Sequence, residues 1–264
     1  MDTDKHSLAL PRTAQLPINR CNLPAKILGS LQFQRYPQPL TIDGTRELHR
    51  DLFLRLDALD NASQRAQQFI DYMSVHFCLH APDEAGFDPA CRIDRHKADY
   101  LRLLRGWSFD SEGREGAVLK GWVESRFGLI PRFHHGPIRH GEDENYRRYQ
   151  LACADGLYNT NALFDQLDLL YSYGQYELQS AGKYLTLYRG SNATEQLAPD
   201  MLLLNNLNSF SRDRERADEF GDAVWQIEVP AAKVFFYAEL LPSYLKAERE
   251  VMVLGGLYRA RRVI

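Results

Sequence analysis

The sequence predicts an α+β protein, with a helical first part followed by a strand-rich end. Two observations carry this. Up to about residue 180, apolar residues recur three and four apart, the period of a helix. After Gly182 the apolar segments are short, β-branched or aromatic, and set apart by turn residues. With 264 residues, 44% of them hydrophobic, the chain can bury a sizeable core as one large domain or two coupled ones.

Residues 1–42 are rich in Pro, Asn and Gln, and read as an irregular arm laid over the surface. A helical region, 43–158, follows. Leu48, Leu52, Leu56 and Leu59 repeat at helical spacing behind Asp43-Gly44-Thr45, which offers N-cap residues. Ala66, Phe69, Ile70, Met73 and Phe77 form a second stripe. A third helix is expected over Lys97–Arg105 and a fourth over Ala117–Phe127, where Val118 and Trp122 stand four apart. The segment PRFHHGPIRHG, 131–141, holds two prolines and two glycines and must be a loop. A long helix then runs from about Thr160 to Leu178, with Leu163, Leu167, Leu170 and Gly174 on one face. The end, 159–264, carries the segments YLTLYRG, MLLLNN, AVWQIEVP, KVFFY, REVMVLGG and LYRARRV, all read as strands. One short helix, Asp213 to Phe220, interrupts them.

The formal net charge of −3 gives no basic footprint, so nucleic acid is not expected as a partner. No run approaches a membrane span, and the first residues lack an apolar signal segment, so a cytoplasmic protein is expected. Cys21, Cys78, Cys91 and Cys153 are scattered without a CxxC pair and read as reduced thiols. There is no P-loop, GxGxxG or nucleophile elbow. His76 and His80 stand four apart, but with no third ligand evident they read as packed or surface histidines. His134, His135 and His140 fall in the predicted loop and read as solvated. No metal is expected.

Three features of the strand-rich end stand out. Arg189-Gly190 ends an apolar strand; an arginine there can grip a pyrophosphate or carboxylate bidentately, and the glycine lets a ligand approach the backbone. In Asn208-Ser209-Phe210-Ser211, the two serines alternate onto one face, and Ser211 is expected to cap the following helix. In Glu248-Arg249-Glu250, a strand would send both carboxylates to the side of Met252 and Leu254, with Arg249 beside Val251 and Val253. Adjacent carboxylates push one pKa upward, which suits a proton acceptor.

This R-S-E order resembles the arginine-specific ADP-ribosyltransferases. The segments HFCLH, KADYLRLLRGW, GREGAVLKGWVESRFGL, GLYNTNAL, LTLYRG, LLNNLNSF, RERADEFGD and GGLYR extend the match. Across about residues 24–264 they resemble one family, the NAD(+)–dinitrogen-reductase ADP-D-ribosyltransferases of nitrogen-fixing bacteria. The resemblance implies a split β-sandwich catalytic core over 159–264 and a reaction that consumes NAD as substrate without a metal.

By the same resemblance, Arg189 holds the NAD phosphates and nicotinamide ribose, and Gly190 contacts the nicotinamide amide. Ser209 fixes the catalytic glutamate. Glu250 bonds the ribose 2′-OH and stabilises the oxocarbenium-like state, while Glu248 orients the target guanidinium and takes its proton. Phe210 and Phe220 are both candidates to stack on nicotinamide. The implied substrate is the nitrogenase iron protein, switched off by modification of one arginine. The implied regulator is a PII-type signalling protein, with the helical region expected to contact both because the NAD site is complete without it. The competing readings are an NAD glycohydrolase and a non-catalytic module that senses NAD or a PII-type protein. Retention of both glutamates argues against the first, and the intact Arg189, Ser209, Glu248, Glu250 set against the second.

Overall fold

The structure, a computed structural model, describes residues 10–80, 98–139, 143–191, 195–242 and 250–263. Its helical part and C-terminal antiparallel sheet make it the α+β protein expected.

The first segment differs from the expected surface arm. It carries the short helices α1 (Ala25–Leu28) and α2 (Leu31–Arg35) and sends Leu28, Phe33, Leu40 and Ile42 into the main core. The helix expected from Leu48 to Leu59 breaks at His49 into α3 (Thr45–Leu48) and α4 (Arg50–Asp57). The break resets the register, so that Leu52, Phe53 and Leu56 face inward while Leu48 is 71% exposed. Helix α5 (Ala62–His76) starts where the Asn61 side chain accepts from the amides of Ser63 and Gln64. Helix α6 (Tyr100–Phe109) is capped in the same way by Asp99, 2.7 Å from the Arg102 amide. Helix α7 (Arg114–Phe127) ends at Gly128, whose φ of 70° suits a glycine.

Helix α8 (Glu144–Leu157) falls within the helical region expected over 43–158, where the sequence reading gave it no bounds of its own; its buried face rests on Tyr146, Tyr149 and Gly156. Helix α9 (Leu163–Leu178) is buried along most of its length. Its Asp168 accepts from Trp122 Nε1 at 2.7 Å and from Arg126 Nε at 2.8 Å, which ties α9 to α7 through a buried ion pair.

The strands are β1 (Tyr184–Ser191), β2 (Gln196–Ala198), β3 (Met201–Ser211), β4 (Ala223–Pro230), β5 (Val234–Tyr237), β6 (Glu250–Arg259) and β7 (Arg261–Arg262). They pair antiparallel in the order β5-β6-β3-β1-β4-β7, with β2 on β3. Residues 250–259, expected as parts of two strands, run as one. β3 and β1 share a single pair, Tyr188 with Ser211. The sheet therefore forks there into two leaves. Between the leaves lie Leu187, Trp225 and Ile227 from one side and Phe210, Val251, Val253 and Tyr258 from the other. The outer face of the β3–β6 leaf carries Leu203, Leu207, Met252 and Leu254, which pack into the helical core. Strand alternation thus divides residues 251–254 between the two cores as the sequence implied.

A bulge in β3 at Asn205 and Asn206 anchors the loop after α7. Asn206 Nδ2 donates to the carbonyls of Lys120 and Leu129 at 2.8 and 3.0 Å. Opposite it, a Cβ on Gly255 would stand 1.5 Å from the Asn205 oxygen, so only glycine fits. Gly256, at φ 114°, presses against the backbone of Gly29, and Leu257 donates its amide to the Gly29 carbonyl at 2.8 Å. This pairing docks the first segment onto β6. No described helix is long and apolar enough to cross a membrane.

Candidate active site

The C-terminal end of β3 and the start of β6 lie side by side, with Ser211 opposite Glu250 and Ser209 opposite Met252. Ser209 follows Leu207 on the helix-facing side, and Glu250 shares that side with Met252 and Leu254. The Ser209 hydroxyl donates to Glu250 Oε1. The indole Nε1 of Trp107, on α6, stands 2.9 Å from Ser209 Oγ and 3.0 Å from Glu250 Oε1. The Ser108 hydroxyl donates to Glu250 Oε2 at 3.1 Å. Both carboxylate oxygens are therefore fixed, and two of the three donors come from the helical part. The sequence alone did not single out Trp107 or Ser108. The expectation that the site is complete without the helical region is corrected accordingly. Glu248 and Arg249, with the pKa argument built on the paired carboxylates, lie outside the described residues.

Arg189 sits on the inter-leaf face of β1, after Leu185 and Leu187. Its Nη1 donates to the Ser209 carbonyl at 2.8 Å, and its Nε and Nη2 hold Glu195 bidentately. The Phe210 ring lies 5.8 Å below the guanidinium. Glu195, another residue not singled out in the sequence, thus occupies the fork of the arginine.

Gly190 is buried, but its absent Cβ faces α10 (Arg214–Asp218) and not open space. A Cβ there would lie 2.2 Å from the Ala217 oxygen. Close packing of that turn is one requirement for glycine at this position. Ser211 does not cap α10. The chain is still in β3 at 211, so the cap falls two residues later on Asp213, which accepts from the Glu215 amide at 2.9 Å. Ser211 Oγ accepts from the Asp213 amide at 3.0 Å. Phe210 is packed between the leaves, whereas Phe220 is 61% exposed beside Gly190.

The opposite wall comes from α7 and the loop after it. Lys120 is buried, with Nζ 3.2 Å from the Phe133 carbonyl, 3.5 Å from Glu112 Oε1 and 3.3 Å from His134 Nδ1. Burial lowers the pKa of Lys120 and of half-buried Arg132. Burial first, then the neighbouring Lys120, pushes His134 down to about 4. His134 is thus a buried neutral residue, not the solvated loop histidine expected, and His140 lies outside the described residues. His76, exposed to solvent, stacks on Tyr72 with His49 edge-on at 4.7 Å, and is a surface histidine with ring partners.

Together these walls enclose a cleft of ≈ 730 Å³, within the usual range for a small-molecule site. It offers a pinned carboxylate, a guanidinium fork on the other leaf that Glu195 occupies, and an exposed aromatic among its lining residues. Such a set can stabilise positive charge developing on one part of an anionic ligand while the arginine grips another.

Comparison with known proteins agrees with this chemistry. The family model described as dinitrogenase reductase ADP-ribosyltransferase (DRAT) matches residues 18–262. A protein of Rhodospirillum rubrum, NAD(+)–dinitrogen-reductase ADP-D-ribosyltransferase, is 38% identical over 259 residues, covering 91% of this chain and 92% of its own length. No solved structure matches the chain.

Proposed function

The chain belongs to the dinitrogenase reductase ADP-ribosyltransferase family, and from that premise we propose that it transfers ADP-ribose from NAD to an arginine of the nitrogenase iron protein. The observation that carries the reading is the fixed Glu250 carboxylate, held by Ser209, Trp107 and Ser108 within one cleft with Arg189.

The C1′–N bond of NAD breaks, and nicotinamide leaves with the bonding electron pair as a neutral molecule. Positive charge develops on the ribose, where an oriented carboxylate acts most strongly in the transition state. A guanidine nitrogen then bonds to C1′ and sheds a proton. Arginine is protonated at neutral pH, so attack requires a proton acceptor, the role assigned to Glu248. Arg189 takes the pyrophosphate in exchange for Glu195. Gly190 meets the nicotinamide amide, and exposed Phe220 suits nicotinamide stacking better than packed Phe210.

In this reading the reaction is cytoplasmic, and the helical region, 43–158, meets the target and a PII-type regulator. The family resemblance supports the regulator. Residues Trp107 and Ser108, which bring this region to the active carboxylate, support the target.

The test is transfer of labelled ADP-ribose from NAD onto purified nitrogenase iron protein, with Glu250→Gln and Glu248→Gln alongside. Label on an arginine, lost in both variants while Glu248→Gln retains NAD hydrolysis, is the expected result. NAD binding without label would sink the proposal in favour of a binding module, and hydrolysis alone would favour a glycohydrolase.

A further inference from the structure

Among the described residues, three phenylalanines are more than a third exposed: Phe109 at 91%, Phe133 at 46% and Phe220 at 61%. All three line the active-site cleft. Large aromatics are normally buried, and an exposed group of them gathered at one cleft marks a contact surface. Phe220 stands beside Gly190, on the proposed NAD side. Phe109 and Phe133 stand on the other wall. Phe109 is the last residue of α6 and directly follows Ser108, whose hydroxyl is 3.1 Å from Glu250. Phe133 is fixed through its backbone, its carbonyl accepting from Lys120 Nζ at 3.2 Å and from Asn205 Nδ2 at 3.0 Å. Its ring is exposed on a well-held loop, so contact there orders little that is not already ordered.

We propose that Phe109 and Phe133 form the docking platform for the protein that carries the acceptor arginine. The inference rests on the transferase reading above and specifies where its protein substrate sits. The occupant follows from reach. A guanidine must arrive beside Glu250, and an arginine side chain extends only a short way beyond the surface that bears it. The target's surface must therefore come down onto the mouth of the cleft, where these two rings stand. Rigid exposed aromatics are the side chains that carry protein–protein affinity with little entropic cost. The surface they fit is apolar ground flanking the modified arginine of the iron protein.

The experiment measures transfer to two acceptors, the nitrogenase iron protein and the small guanidine agmatine, together with NAD hydrolysis, using the full chain. In a Phe109→Ser, Phe133→Ser double variant, kcat/KM for the iron protein is expected to fall ~30-fold or more, the effect of losing interface anchors. Transfer to agmatine falls much less, since it needs no protein surface, so the ratio of kcat/KM for the iron protein to that for agmatine drops ~10-fold or more. A Phe109→Leu, Phe133→Leu variant, which keeps apolar bulk, recovers most of the loss on the iron protein. Unchanged transfer to the iron protein in the serine variant would overturn the platform, as would an equal fall on both acceptors, which would put the rings in the NAD site. If the unsubstituted chain modifies neither acceptor, the transferase reading fails first and the platform with it.

Discussion

Trp107 Nε1 stands 3.0 Å from Glu250 Oε1 across a separation of 143 residues, and in doing so makes the helical part a component of the active site. The same N–H lies 2.9 Å from the hydroxyl of Ser209, which itself holds Glu250. Replacing Trp107 with Phe keeps an apolar ring and deletes the donor. A hydrogen bond to a charged acceptor contributes about 1.5–3 kcal/mol, so transfer should slow roughly 10- to 100-fold. The loss is expected in kcat with KM for NAD little altered, because the donor acts through the carboxylate. Equal steady-state constants in the two proteins would remove Trp107 from a positioning role.

Glu195 neutralises Arg189 in the free protein, gripping its fork where the proposal puts NAD pyrophosphate. An anionic ligand must displace that carboxylate before the arginine can serve it. Glu195→Gln should therefore lower the dissociation constant for NAD by about 5- to 10-fold, consistent with an exchanged ion pair of roughly 1 kcal/mol in this partly exposed setting. Titration calorimetry reads this directly. Weaker NAD binding by the variant would mean that Glu195 helps to build the site.

His134 has its pKa lowered to about 4, chiefly by burial. The unfolded chain then binds more protons than the folded one between pH 6.5 and 4. Stability from this residue is complete well above pH 6.5 and falls as the pH drops through that window. Between pH 6.5 and 5 the loss amounts to about 1.5 kcal/mol. Urea unfolding at both pH values should show that difference in the parent chain and a smaller one in His134→Gln. Identical pH slopes would contradict a buried neutral imidazole.

Gly256 combines a φ of 114° with contact against Gly29, where a Cβ would lie 2.7 Å from the Gly29 Cα. Backbone strain and overpacking each cost about 1–3 kcal/mol. Gly256→Ala should therefore destabilise by at least about 2 kcal/mol in denaturant unfolding. A change below about 0.5 kcal/mol would show that the first segment yields easily at this contact.

Much of this fold could be read from local pattern. The stripes over α5, α7 and α9, and the alternation through Val251, Met252, Val253 and Leu254, are periodic signals that burial enforces. The bounds of helix α8 within the expected helical region were not legible because its inward residues are Tyr146, Tyr149 and Gly156, while Leu151 faces solvent at 70% exposure. Its apolar period is carried by hydroxylated aromatics and a glycine. The first segment misled for a related reason. Its prolines and asparagines mark turns, yet Leu28 and Phe33 between them are core residues. At the candidate site, Arg189, Ser209 and Glu250 were singled out by strand parity and by an order that resembles a known family. Trp107 was not, because a tryptophan on an apolar helical face looks like packing, and only the fold reveals which acceptor its N–H meets. Glu195 belongs to an ion pair only six residues long, but nothing in its sequence setting distinguishes it from an ordinary surface carboxylate.

The fork at Tyr188 and Ser211 places Arg189 on one leaf and Glu250 on the other, with a single backbone pair between the leaves. A dinucleotide held at its pyrophosphate by Arg189 and at its nicotinamide ribose by Glu250 would bridge that gap as a splint. Binding would then brace the sheet at its narrowest joint, so amide exchange on β1 and β3 near the fork should slow when NAD is added. Occupancy of the cleft and stiffness of the sheet become one property, readable in the backbone that borders the site.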